Sequence, residues 1–420
     1  MLSHPNTGPL PSAMGHPSPT PPQPLITWTE NGVTHTARWR SERGAPAPQR
    51  VVLANDTTTA DEAYRLACAG TALLWSGDFH NARQLLQAMA RRCDATPARK
   101  RRKAAGKASS PPGATASPAE AFHQHRQAQA QRARILGALL LPMGEDHSVT
   151  LRRAPDTRQA CTRAWGVAAV GDGPSVTSLR DVLGLTSADE WRRVGVVVPA
   201  LGDAPHNRIH PHHGVFSPVR GEYVDLVARA PLPPTALHPG GVAFDVGVGS
   251  GVLSAVLVRR GVPQVVGTDL SPHALDCARA NLAQLGVAAQ VTLLQTDVFP
   301  PGRAALVVCN PPWLPARASS PIEHAVYDEG SRMLKGFLTG LAAHLAPQGE
   351  GWLVISDLAE HLGLRTRAEL LGWITQAGLT VLGRLDTRPT HAKATQAQDA
   401  LHTARAAEVT SLWRLGVTQG

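Results

Sequence analysis

The stretch Asp245-Val246-Gly247-Val248-Gly249-Ser250-Gly251 constrains this chain more than any other. The apolar run Val242-Ala243-Phe244 leads into it, and Val252, Leu253, Ala255, Val256 and Leu257 lead out, which predicts strand, Gly-rich turn, helix. Glycines suit such a turn because the chain must reverse tightly and let its backbone approach a ligand. The helix N-terminus that follows then presents free N–H groups. Many Gly-rich turns are only turns, so the meaning of this one rests on what comes after it.

Three more apolar runs follow in order. Gln264-Val265-Val266-Gly267-Thr268 ends in Asp269, roughly twenty residues beyond the glycines, where an acid meets ribose hydroxyls in open α/β sheets. Asp269 also suits a simple strand-end cap. Val291-Thr292-Leu293-Leu294-Gln295 leads to Asp297, and Ala305-Leu306-Val307-Val308-Cys309 leads to Asn310-Pro311-Pro312-Trp313. Each polar residue falls at the carboxyl end of a strand, the edge at which such sheets bind ligands.

On these residues the stretch from about Asn207 onward, half of the chain, resembles a class I S-adenosylmethionine-dependent methyltransferase of the methyltransferase small domain group. Asp245, Gly247, Gly249 and Gly251 match the cofactor loop, and Asp269, with Leu270 beside it, matches the ribose-binding acid. Asp297 and Val298 match the pair flanking the adenine. Asn310, Pro311, Pro312 and Trp313 match the Asn-Pro-Pro-aromatic motif, with Asn310 bordering the cofactor as well. The aromatic is usually Tyr or Phe, so Trp313 departs from the pattern. The resemblance implies a seven-stranded, doubly wound Rossmann-like sheet whose last strand is antiparallel, with S-adenosylmethionine as cofactor.

It also implies transfer of a methyl group to a planar nitrogen. The reaction is an in-line displacement, so the protein's task is to hold a lone pair about 3 Å from the methyl carbon. The Asn310 side-chain oxygen and the Pro311 carbonyl would accept the two N–H bonds of an amino or amide group. Trp313 would stack on its plane. No general base is needed, because the proton can leave after transfer. Motifs of this kind go with adenine amines, guanine amines and glutamine side chains.

Charge inclines the sequence reading toward an RNA base, ribosomal RNA first. Residues 236–420 carry 14 Lys+Arg and 14 Asp+Glu, so the 27 basic and 18 acidic residues before them account for the whole +9. A basic front half suits a polyanion, and equally a solvating linker. A glutamine methyltransferase acting on a translation protein (release factor or ribosomal protein type) is the alternative, favoured by Leu314-Pro315 followed by Asp328-Glu329. A noncatalytic RNA-binding factor on the same fold and a nicotinamide-dependent oxidoreductase are further rivals.

The front half reads as a disordered tail over 1–24, then a mostly helical α+β substrate-recognition domain over 25–205 with a basic flexible linker at 97–117. The methyltransferase domain covers 206–420. Asn31-Gly32 between alternating runs predicts a two-residue hairpin. Thr59 and Glu62 predict a capping box opening a helix whose stripe includes Ala63, Leu66, Ala67, Leu73 and Leu74 and which Gly77 ends. A second helix from about Asp78 to Arg92 packs against it. Ser117-Pro118-Ala119-Glu120 opens a helix running to about Leu141, whose His123, His125, Arg126, Arg132 and Arg134 line a groove or face water. Val194–Val198 reads as a buried strand. The resemblance implies a Phe-containing segment that closes over the cofactor, which makes Phe216 and Ser217 lid candidates, although Phe216 equally suits packing under the sheet.

Five scattered cysteines without a Cys-x-x-Cys pair imply reduced thiols in a cytoplasmic protein. His210, His212 and His213 sit in a Pro-containing loop with spacing unlike a metal site, so no metal is expected.

Overall fold

The computed structural model describes residues 24–105, 117–169, 171–318, 321–389 and 401–418. The expected disordered tail therefore lies, but for its last residue, outside the described residues.

The front half is built on a six-stranded mixed sheet. In chain order its elements are β1 (Leu25–Glu30), β2 (Val33–Trp39), β3 (Val51–Ala54), α1 (Ala60–Cys68), β4 (Ala72–Trp75), α2 (Phe79–Ala105), α3 (Pro118–Gly137), β5 (Leu139–Met143), α4 (Arg158–Trp165), β6 (Ser175–Ser178) and α5 (Leu179–Val194). The strand order is β1-β2-β6-β5-β4-β3. Asn31 and Gly32 both have positive φ, 48° and 79°, and Glu30 pairs with Val33, so β1 and β2 form the expected tight hairpin.

The single helix read through Leu74 is in fact α1 followed by β4. Gly70 turns the chain at φ +80°, and all four residues of β4 are buried. A central strand covered on both faces is a continuous apolar run, and periodicity alone does not separate it from a buried helix turn. The same substitution occurs at the end of α3, where Leu139 and Leu140 belong to β5. Thr59 accepts the Glu62 N–H at 3.3 Å, whereas at Ser117 and Glu120 both halves of the capping box form. The expected linker is partly helix: α2 continues to Ala105, and residues 106–116 lie outside the described ones.

Two short strands, β7 (Val196–Val197) and β8 (Arg208–Ile209), pair antiparallel and join the halves. The strand read at Val194–Val198 thus shrinks to two residues, because α5 runs through Val194. Next come α6 (Glu222–Arg229), β9 (Val242–Val246), α7 (Val252–Arg259), β10 (Gln264–Asp269), α8 (Pro272–Gln284), β11 (Val291–Gln295), β12 (Ala304–Cys309), α9 (Arg332–His344), β13 (Leu345–Ser356), α10 (Leu358–His361), α11 (Arg367–Gln376), β14 (Leu379–Thr387), α12 (His402–Ala407) and β15 (Thr410–Val417).

These seven strands form one sheet in the order β11-β10-β9-β12-β13-β15-β14. β9 through β13 are parallel, and β15 runs antiparallel to both neighbours. All six residues of β12 are buried, as a central parallel strand covered on both faces requires. The order reverses between β9 and β12, so the crevice opens at their carboxyl ends. The two halves meet where Phe122 of α3 packs with Leu314, Ala359 and Leu362, and where the Arg126 guanidinium lies 4.2 Å from the Tyr327 ring centre.

Candidate active site

A cavity of about 1050 Å³ opens at that reversal, large enough for a nucleoside-sized cofactor together with a planar group. It is lined by Asp245, Gly247, Gly249, Asp269, Leu270, Asp297, Val298 and Asn310 to Trp313. These residues, all named from the sequence, share one space, and Gly251 is not among them.

The glycine turn depends on the absence of side chains. Gly247 has φ +76°, and a Cβ there would stand 2.6 Å from the Met333 Cε; Gly249 has φ +50°. The Gly247 and Val248 N–H groups both donate to the Thr268 carbonyl, at 2.9 and 2.8 Å, which pins the turn to β10. Gly251, the last glycine of the loop, does not line the cavity. With φ +82° it starts α7, and an added Cβ would press on Ala278 at 3.3 Å, so its role is close packing of α7 on α8.

Asp245 is buried at the end of β9. The Ser254 backbone N–H and hydroxyl both donate to its Oδ2, at 2.8 and 2.7 Å, and burial pushes its carboxyl up to about 6. Asp269 accepts the Gly249 N–H at 3.1 Å and the Ser271 N–H at 2.9 Å, and burial raises its carboxyl as well. An acid at this strand end therefore braces the glycine turn while facing the cavity. Asp297 is half exposed and pairs with Arg332 at 3.1 Å, a contact that solvent screens. Val298 takes the left-handed conformation at φ +61°, an outlier for a β-branched residue, and its carbonyl accepts the Thr268 hydroxyl at 2.7 Å.

Across the cavity, the Trp313 indole N–H donates to the Asn310 Oδ1 at 2.9 Å. An indole N–H can only donate, so this bond fixes which end of the amide is oxygen. Trp313 also packs against both faces of the sheet, and the Arg220 guanidinium lies 5.3 Å from its ring centre. Arg220 is held by Glu222 at 3.0 Å and Glu408 at 3.1 Å, and Glu408 in turn accepts the Ser356 hydroxyl at 2.7 Å. The Asn310 carboxamide is thus oriented by a chain of side chains reaching back to β13. Sequence reasoning missed Arg220, Glu222 and Glu408, which are distant in sequence and carry no motif.

Phe216 both lines the cavity and packs on the core beside Tyr223, so its two sequence readings coexist. The Ser217 hydroxyl is buried without a hydrogen-bond partner among the described residues. The histidine segment straps β8 to α8. The His210 N–H donates to Asn281 at 2.7 Å, the His212 N–H to the Cys277 sulfur at 3.3 Å, and the His213 carbonyl meets His273 Nε2 at 2.7 Å. Burial pulls His212 down to about 4. Among the described residues no group of three or more His, Cys, Asp or Glu is arranged to hold a metal, and no helix is long and apolar enough to cross a membrane. On α3, Arg126 covers Tyr327 and Arg132 pairs with Asp94 at 2.8 Å, so neither lines the cavity.

A parallel sheet reversing at β9/β12, a side-chain-free turn after the first strand and an acid ending the second define a class I S-adenosylmethionine-dependent methyltransferase fold. Residues 206–370 match the methyltransferase small domain family. The chain is similar to a ribosomal protein L11 methyltransferase from Pelotomaculum thermopropionicum, 42% identical over 18% of this chain and 25% of that protein. It is also similar to two release factor glutamine methyltransferases. That of Moorella thermoacetica is 39% identical over 26% of this chain and 41% of its own length, and that of Cereibacter sphaeroides is 30% identical over 36% and 58%. The chain therefore spans between a quarter and under three fifths of the length of these relatives.

Proposed function

We propose that the protein transfers a methyl group from S-adenosylmethionine to a side-chain amide nitrogen, that of a glutamine in a protein of the translation apparatus. Asp245, the backbone of Gly247 and Gly249, Asp269, Leu270, Asp297 and Val298 would hold the cofactor, which supplies an electrophilic methyl group. The glycine turn fits this role because its backbone faces the cavity and a Cβ at Gly247 would collide with Met333. The single observation that carries the reading is the fixed Asn310 carboxamide. With Trp313 donating to one lone pair of Oδ1, the other remains to accept an N–H from the substrate. Such an acceptor holds a planar amide with its nitrogen lone pair turned out of the amide plane, and proximity then does most of the work. On this reading Trp313 acts first as the donor that sets Asn310, and only secondarily as a stacking surface.

The similarity to release factor glutamine and ribosomal protein methyltransferases supports a protein substrate over an RNA base. We further infer that residues 25–205 form the substrate-recognition unit and 206–420 the catalytic one. The basic front half keeps an RNA base as the second reading. Transfer of labelled methyl groups into extract of cells lacking this protein, with protein and RNA fractions counted separately, tests the choice. Label in protein that is lost with Asn310→Ala supports the proposal. Label in RNA overturns it.

A further inference from the structure

The cavity does not end at the methyltransferase sheet. Its far wall comes from the front half, where the loop after β2 contributes Glu42 and Arg43 and the first two turns of α5 contribute Arg180, Asp181 and Gly184. Arg180, Gly184 and Ala188 recur every four residues, so they share one face of the helix, and all three line the cavity. Glycine is a poor helix former, yet Gly184 sits mid-helix with no positive φ to justify it. A Cβ placed on it meets nothing within 4 Å. Together with Ala188 it leaves an open channel alongside Arg180.

The charges on this wall differ in how they are satisfied. Glu42 accepts the Trp165 indole N–H and lies 3.5 Å from His213, and the Asp181 carboxylate accepts the Glu42 backbone N–H at 3.2 Å. Both acids are engaged by the protein itself. The two guanidinium groups feel the Asp181 charge but are not hydrogen-bonded. Neither Arg43 nor Arg180 makes a side-chain hydrogen bond or ion pair with any described residue, and the Arg180 Nη1 is shielded from solvent without an acceptor. Burial and then the neighbouring Arg43 charge press the Arg180 guanidinium toward losing its proton, and the nearby Asp181 carboxylate opposes them without accepting a hydrogen bond from it.

We propose that Arg43 and Arg180 form a specificity subsite that takes a carboxylate side chain flanking the methylated amide in an acidic protein segment, with the channel at Gly184 admitting the segment. The forked donors of arginine match a carboxylate in two-point fashion. Two acids interleaved with two arginines give this wall no net charge, unlike the continuous basic stripe that tracks nucleic acid phosphates. The subsite rests on the amide-methylation reading above, and its test separates the two.

The full chain, saturated with S-adenosylhomocysteine, is titrated into fluorescent peptides that carry one glutamine flanked either by glutamates or by serines, with anisotropy as the readout. Charge-assisted bonds to two guanidinium groups predict binding of the acidic peptide tighter by roughly tenfold to a hundredfold. Arg43→Gln with Arg180→Gln should erase that preference while leaving the affinity for S-adenosylhomocysteine intact, which also shows that the variant is folded. Gly184→Leu should weaken both peptides and spare S-adenosylhomocysteine. Asn310→Ala should keep the peptide preference and lose methyl transfer; if it keeps both, the amide reading fails and the subsite stands. Equal binding of the two peptides by the unaltered protein, or a preference that survives the double substitution, overturns the subsite. So does a short RNA that outcompetes the acidic peptide through the same two arginines.

Discussion

Protonation of Asp245 should control cofactor binding. This carboxyl is 1% exposed, holds Ser254 through one oxygen, lines the cavity, and is pushed by burial up to about 6 from an ordinary value of 3.8. The folded protein therefore holds this proton more tightly than the unfolded chain. As pH rises from about 4 to about 6 the folded state loses stability relative to the unfolded state, and above 6 the full cost, about 3 kcal/mol, is in place. A buried carboxylate kept at that cost invites a cationic ligand, and S-adenosylmethionine carries a sulfonium and an ammonium. At pH 5 only about one Asp245 in ten is ionised, so affinity should be about tenfold weaker than at pH 7.5. Asp245→Asn should bind weakly at both pH values with a flat profile, and its ligand-free form at pH 7.5 should melt no lower than the unaltered protein. Calorimetric titration with S-adenosylmethionine at the two pH values, on both proteins, reads this directly. The Asp269 charge adds to the Asp245 shift and Asp269 is itself raised by burial, so Asp269→Asn should move the transition to lower pH without abolishing it. Equal affinity at pH 5 and 7.5, or a slope that survives in Asp245→Asn, refutes the reasoning.

Other substitutions test the neighbouring parts. Trp313→Phe keeps an aromatic ring but removes the donor to Asn310, so kcat should fall about fivefold, the value of one hydrogen bond near 1 kcal/mol, with S-adenosylhomocysteine affinity unchanged. Gly247→Ala places a Cβ against Met333 in a left-handed conformation. It should lower stability by about 1–2 kcal/mol and weaken cofactor binding at least about tenfold, with partial recovery on adding Met333→Ala, as read by thermal melting and titration. Arg220→Ala strands the buried carboxylates of Glu222 and Glu408, so the melting temperature should drop by the equivalent of about 3 kcal/mol, and kcat should fall as Trp313 loses its cover.

The catalytic half was legible because its signals are local. Each strand is an apolar run that ends in a polar residue, and Gly247, Asp269 and Asn310 mark those ends whatever surrounds them. The front half was less so. Leu73–Leu74 and Leu139–Leu140 are central strands buried on both faces, and their apolar runs fused with adjoining helices in the sequence pattern. Roles that depend on long-range contact were invisible. Gly251 carries the motif's glycine but packs on Ala278, and Arg220 carries no motif but orients Trp313. The cavity wall at Arg43 and Arg180 required the two halves to be brought together, which no local pattern encodes.

The central claim is that a planar amide nitrogen receives the methyl group, and the chemistry of the product decides it. Protein labelled by the purified enzyme with radioactive S-adenosylmethionine is hydrolysed in strong acid, which cleaves amides and spares amines. An N-methylated glutamine gives up its label as methylammonium, which distils as methylamine once the hydrolysate is made alkaline, and this release is the predicted result. Label that stays on a nonvolatile amino acid or on a nucleobase contradicts the account.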